Sequence, residues 1–350
     1  KVQKAISTGE YPWANPSSEH YEGKKSRAKI NEVKKFLYNL FGLDKSSYTL
    51  LFHSGATEGV NTCLNLTQND CLFYSYADHA CVTEHAKMLA QKGVSLKKIS
   101  LSKDGKIANL KEQLVLNNEL TKYVNITWMN NETGVVQDLT QLKNLKEQYP
   151  FYLHIDAVQS VGKIKNWQKI PEHIDAITYS AHKFGALKGV GFSFIKNNYP
   201  IRPLIFGGKQ QETLRSGTLN THGILSIKDA LIDIESKDVE KVADFKLEII
   251  SLIKSYSNVH VIESECVNTI CFYHDKIKAD ELLIHFDLNG LCVSSGSACS
   301  SGSVLESPTL LEMGLGEKAK NSIRISIGYE NLQHKNEIMN KIRLVLERLK

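Results

Sequence analysis

Asp156 and Lys183 each close a short apolar run, in His154-Ile155-Asp156-Ala157-Val158-Gln159 and in Ser180-Ala181-His182-Lys183. Runs rich in Ile, Tyr and Phe that end in polar clusters read as buried parallel strands with chemistry at their C-terminal ends. In open α/β sheets ligands sit just beyond those ends, so a carboxylate on one strand and an amine on the next would face one pocket. An amine that can form an imine, with a carboxylate that can hold a pyridinium proton, suits pyridoxal phosphate. An Asp in a turn and a surface Lys would account for the same letters.

Six further stretches carry candidate residues. At 53–58, His-Ser-Gly-Ala-Thr-Glu runs from a strand into a helix, leaving free N–H groups at Ala56 and Thr57 that suit a phosphate; a plain Thr cap explains it equally. Asp78-His79-Ala80 offers an imidazole able to stack on a flat cofactor and to move protons, or an ordinary capping residue. Asn130 and Asn131 follow a strand, where an amide can donate to a ring substituent or a carboxylate, or simply build a turn. Arg215-Ser216-Gly217-Thr218 lies after Gly207-Gly208; Arg215 and Thr218 suit a phosphate of their own chain or of a dimer mate. Cys299 sits in a Gly/Ser-rich stretch at 293–303, as a nucleophile on a tether would, or as an incidental surface Cys. Arg324 alternates with Ile323 and Ile325, which suits a carboxylate clamp or the outer face of an edge strand.

The elements that must position these groups alternate. Strands are predicted at 48–52, 71–76, 96–101 and 123–129, with helices at 27–41, 57–66, 80–91 and 139–148. Ser18 is a candidate cap for the helix at 27–41, and Gly23 blurs its start. Beyond a strand at 191–195 the order changes to helical periodicity over 224–256, strands at 259–262 and 269–273, a helix at 279–288, a strand at 323–327 and a final amphipathic helix. This predicts an α/β chain: a large domain at 1–230, with a mostly parallel sheet wrapped by helices, and a smaller α+β domain at 231–350. A net charge of +5 without runs argues against a nucleic-acid surface. No stretch reaches the ~18 apolar residues of a membrane span, and the opening residues do not read as a signal peptide, so a cytoplasmic protein is expected. The 7 cysteines include no Cys-x-x-Cys pair, which argues against both a disulfide framework and a metal site. The six other than Cys299 read as core residues.

Taken in order, the motifs resemble the NifS-like (IscS-type) cysteine desulfurases, the class V branch of the fold-type I pyridoxal phosphate enzymes. The resemblance runs from Asn15-Pro16-Ser17-Ser18 through Ser54-Gly55-Ala56-Thr57-Glu58, Asn130-Asn131-Glu132, 154–159, 180–183 and 215–218 to the Cys299 and Arg324 segments. It implies a seven-stranded large-domain sheet and a homodimer. Lys183 would form the imine with the cofactor, Asp156 would protonate its pyridine nitrogen, and His79 would stack on the ring and shuttle protons. Gln159 would contact the phenolic oxygen, and Asn130 would place ring and substrate. Ala56, Thr57, Ser180, His182 and Thr218 of the neighbouring subunit would cup the phosphate. Arg324 would clamp the carboxylate of L-cysteine, and Cys299 would take its sulfur as a persulfide, releasing alanine, for an acceptor protein such as an iron–sulfur scaffold or a sulfurtransferase. A selenocysteine lyase, another class V lyase or aminotransferase, and a non-catalytic docking relative are the alternatives. This chain departs from the family pattern in having no Asp-Asn-x-Ala-Thr run ahead of Asn15, Phe184-Gly185-Ala186-Leu187 in place of Tyr-Gly-Pro, and Lys209-Gln210-Gln211 in place of Gly-Gln-Glu.

Overall fold

A computed structural model describes residues 2–115, 120–296 and 306–349 of the chain. Helices α1 (Val2–Ser7) and α2 (Tyr21–Phe41) precede strand β1 (Tyr48–His53). Alternation follows through α3 (Ala56–Cys63), β2 (Asp70–Tyr74), α4 (Ala80–Gln91), β3 (Ser95–Lys98), α5 (Leu110–Val115), β4 (Thr121–Thr127) and α6 (Gln141–Gln148). Three strands then complete the sheet: β5 (Tyr152–Asp156), β6 (Ala176–Ser180) and β7 (Gly191–Lys196). Their order is β1-β7-β6-β5-β4-β2-β3, with β7 antiparallel to both neighbours and the other pairs parallel. The α/β reading with a mostly parallel seven-stranded sheet therefore holds. Strands β2 and β6 are buried throughout, which is why they read as apolar runs without alternation.

Helices α7 (Thr221–Glu235) and α8 (Val239–Lys254) lead to β8 (Val259–Ile262), β9 (Thr269–His274), α9 (Ala279–Leu288), β10 (Ser294–Ser295), α10 (Pro308–Glu312), β11 (Ser322–Ser326) and α11 (Lys335–Arg348). The second sheet is antiparallel in the order β10-β11-β9-β8. Ile227 and Leu231 of α7 pack into the first sheet's core, whereas Phe245 and Ile249 of α8 join Phe272, Phe286 and Ile323 in the second. The predicted continuous periodicity over 224–256 is thus two helices. Asp238 caps the second by accepting from the Glu240 N–H at 3.2 Å, and the apolar spacing on either side conceals the break.

Two local expectations change. Helix α2 starts six residues earlier than predicted, and its cap is His20, whose Nδ1 accepts from the Gly23 N–H at 3.2 Å, in place of Ser18. Gly23 is no interruption: a Cβ there would stand 2.4 Å from the Ser18 carbonyl oxygen, so glycine lets the 15–18 turn lie against the helix. At the outer edge of the first sheet, the Gln211 amide accepts from the Phe52 N–H and donates to its C=O, both at 2.8 Å, standing in for one residue of a further strand.

Side-chain alternation puts Asn125 and Thr127, His154 and Asp156, Thr178 and Ser180, Ser193 and His53 on one face of the first sheet. Gly191 lies in that face, where a Cβ would stand 2.6 Å from the Tyr179 carbonyl oxygen and 2.7 Å from the His53 ring. Gly191→Ala is expected to cost about 1–3 kcal/mol by overpacking, seen as a lower urea midpoint.

Candidate functional site

A cavity of ≈ 590 Å³ opens beyond the carboxyl ends of β4, β5 and β6 and is closed on its far side by β11. Asp156, Gln159, Ser180, His182 and Lys183 line it from the strand ends, Ala56 and Thr57 from the start of α3, His79 from the start of α4, and Arg324 from β11. Carboxylate and amine therefore face the same space. Arg324 is not on an outer edge: β11 pairs with β10 on one side and β9 on the other, and Ile323 and Ile325 pack into the second core while Arg324 turns to the cavity.

Asp156 is buried and accepts from the Val158 N–H at 3.0 Å. Burial pushes its carboxyl up to about 6, countered only in part by that hydrogen bond. Beneath it lies a buried polar row. Asp78 accepts from the Ser75 N–H at 3.0 Å, from Thr127 Oγ1 at 2.7 Å and from Asn125 Nδ2 at 3.0 Å. Because the Asn125 amide donates there, its Oδ1 must accept from His154 Nδ1 at 2.7 Å, which leaves His154 Nε2 to accept from the Thr178 hydroxyl at 2.9 Å. Thr178 meets Ser193 at 2.9 Å, and Ser193 meets His53 Nε2 at 3.0 Å. Burial pulls His154 down to about 3 and His53 to about 4, so both rings are neutral near pH 7 and the row is rigidly ordered.

His79 caps α4, its Nδ1 accepting from the Cys81 N–H at 3.1 Å. That contact places the proton of the neutral ring on Nε2, and burial followed by the Lys183 charge lowers its pKa, which favours the neutral form. Taking up a second proton at Nδ1 would open the cap. At the start of α3 the Ser54 N–H is taken by Glu58 Oε2 at 2.8 Å, and no hydrogen bond to the Ala56 or Thr57 N–H occurs among the described residues. Ser180 and His182 Nδ1 meet at 3.1 Å. Arg324 donates from Nη1 to the Asn131 carbonyl at 2.6 Å, while its buried Nε has no partner among the described residues.

Other candidates fall elsewhere. The Asn130 side chain is spent on the surrounding fold: Oδ1 accepts from the N–H groups of Glu132 and Thr133 in its own turn, and Nδ2 donates to Thr309 Oγ1 at 3.2 Å and to the Ala77 carbonyl at 3.4 Å. Met129 and Asn131 line the cavity in its stead. Thr218 lies in a separate cleft with Arg215, and Arg215 is committed to Glu58 at 2.8 Å, not open to a phosphate. Cys299 lies outside the described residues. Five of the other cysteines are buried as expected, but Cys292 is exposed. Lys163, Lys188 and Asp78 were not singled out by their spacing, although Lys163 and Lys188 line the cavity and Asp78 anchors the row below it.

The residue pattern described as aminotransferase class-V matches residues 7–338. The chain belongs to the class-V aminotransferase family. It is 30% identical to the cysteine desulfurase IscS of Dictyoglomus turgidum, over 97% of this chain and 89% of that protein. It is 31% identical to cysteine desulfurase 2 of Trichormus variabilis, over 97% and 87%. Among solved structures, the NifS-like protein of Rickettsia africae superposes with a TM-score of 0.86 at 29% identity, covering 99% of this chain and 95% of that one. In this class-V chain no helix among the described residues is long and apolar enough to cross a membrane, and no group of metal-ligating side chains occurs among them.

The raised Asp156 carboxyl has a consequence for stability. A carboxyl held more tightly protonated in the folded chain than in the unfolded one contributes most below pH ~4 and loses that contribution as the pH rises through about 6. Asp156→Asn in the cofactor-free protein is therefore expected to be more stable than wild type at pH 8, by about 1–3 kcal/mol, with the gap closing towards pH 4. Urea midpoints at the two pH values check this.

Proposed function

We propose that this chain is a pyridoxal phosphate-dependent cysteine desulfurase, which converts L-cysteine to L-alanine and passes the sulfur, as a persulfide on Cys299, to an acceptor protein. The observation that carries the proposal is the convergence of Lys183, the buried Asp156 and the Arg324 guanidinium on one cavity. A ring with a protonated nitrogen fits beside Asp156, because a cation there would offset the burial that raises its carboxyl. The open N–H groups of Ala56 and Thr57, with Ser180 and His182, suit its phosphate.

When bound, the cofactor supplies an electron sink. Lys183 would hold it as an imine, Asp156 would keep its nitrogen protonated, Gln159 would meet its phenolic oxygen, and His79 would cover the ring with its proton at Nε2. Arg324, steadied by the Asn131 carbonyl, would take the substrate carboxylate with its guanidinium. The Cys299 thiolate would attack the substrate sulfur, forming an S–S bond as the C–S bond breaks. That electron pair stays with the amino-acid carbon, and a proton delivered to it completes alanine. Cys299 follows Gly296, which lines the cavity, by three residues in the sequence.

The wider reading is of a cytoplasmic homodimer in which Thr218 of one subunit completes the phosphate cup of the other. This fits the separate cleft that Thr218 occupies in its own chain. The acceptor is an iron–sulfur scaffold or a sulfurtransferase. The chain divides into a cofactor domain at 1–230 and a smaller domain at 231–350; the two core clusters support a division into two such units, with Leu231 and Ile234 at the end of α7 still packing in the first.

Mass spectrometry of Cys299 after exposure to L-cysteine is expected to find one added sulfur. Cys299→Ala should keep the cofactor's absorbance band and lose alanine production; a variant that still passes sulfur to an acceptor would refute the tethered nucleophile. Arg324→Ala should raise the KM for L-cysteine by about 10–100-fold, the loss of one charge-assisted contact, with the band unchanged.

A further inference from the structure

Lys163 lines the cavity but has none of the roles set out above. It follows Gln159 by four residues on the turns after β5, and its Nζ donates to Gln159 Oε1 at 2.6 Å. An ammonium can only donate, so it fixes which end of the Gln159 amide is which. With Oε1 taken, the polar atom left to the cavity is Nε2, which makes no hydrogen bond among the described residues.

We propose that Lys163 is a positioning residue: by holding Oε1 of Gln159 it turns the two N–H bonds of the amide towards the cavity, so that this corner receives an oxyanion, the phenolic oxygen of the cofactor. This rests on the cofactor assignment made above. An amide turned the other way would present a lone pair and favour a protonated hydroxyl. The turn that carries Lys163 is fixed on both sides. Its carbonyl accepts from the Val267 N–H at 2.9 Å, tying it to the segment before β9, and Gly162 ahead of it has φ 69° and lies against Ile234. The charged groups around it on the cavity wall are Lys183 and Lys188 beyond β6, Arg324 on β11 and Asp156 on β5; His79 and His182 also face the cavity, held towards the neutral form by burial and the lysine charges, and the buried Cys266 thiol also acts on Lys163. Burial, followed by the charge of Lys183, brings Lys163 down to about 8, which leaves it charged near neutral pH.

Three variants test this in the protein reconstituted with pyridoxal phosphate. The readout is the pH midpoint of the bound cofactor's absorbance change. A nearby cation and an aimed donor both favour an anionic phenolic oxygen, so Lys163→Met is expected to raise the midpoint by about one pH unit. Lys163→Arg, which keeps a donor-only cation, should restore most of the shift. In a Gln159→Leu background Lys163→Met should move the midpoint far less, because the two act as a unit. An unmoved midpoint in Lys163→Met overturns the proposal; an equal shift in the Gln159→Leu background also overturns it, since charge alone would then suffice. A wild-type protein with no band and no borohydride-trapped adduct at Lys183 overturns the cofactor assignment and the oxyanion assignment with it. The contact itself is decided independently by the Gln159 side-chain amide resonance of the cofactor-free protein, identified by its loss in Gln159→Leu. That resonance should shift in Lys163→Met, and its constancy would show that Lys163 does not hold the amide.

Discussion

A carboxylate buried at the end of a central strand, with a single backbone donor in contact, is the constraint on which the site depends. An ionised group in that position is costly unless a cation is brought to it. Among the described residues no cation is paired with Asp156; the positive charges of Lys183, Lys188 and Arg324 lie elsewhere on the wall of the same cavity. Folding therefore leaves an unbalanced charge that a protonated ring can balance.

The row beneath Asp156 keeps that imbalance from relaxing. Asn125, His154, Thr178, Ser193 and His53 come from five different strands, and each is held by hydrogen bonds to neighbours in the row. Neutral imidazoles in this layer add no charge that would compensate Asp156 from below. The cost of burying so many polar groups is offset in large part by their mutual hydrogen bonds, with Asp78 at one end gathering three donors, while at the other end His53 Nδ1 has no partner among the described residues. Rigidity at this depth gives the cavity floor a fixed shape.

Much of this was legible in the sequence because strand ends announce themselves. Asp156, Lys183, His79 and Arg324 stand where an apolar run stops or alternates, and the structure brings all four to one cavity. What the letters hid is side-chain direction. Asn130 and Asn131 are equivalent as text, yet the first turns inward to hold its own loop while the second reaches the cavity wall. Lys163 was passed over because its four-residue spacing from Gln159 matters only once the intervening backbone is known to turn. The break between α7 and α8 was hidden for the opposite reason: two helices with their apolar faces in step look like one, although they belong to different cores.

The Gln211 amide on Phe52 bears on how copies of this protein meet in a crowded solution. Strand β1 ends the seven-stranded sheet, and an end strand with bare backbone groups is a template on which another molecule's strand can settle. One glutamine, set near the C-terminal end of that rim, occupies both groups of a residue that an incoming chain would need. The opposite rim, β3, is four residues long and carries Lys97 and Lys98. With one margin plugged and the other brief and charged, sheet-to-sheet polymerisation is disfavoured at both ends.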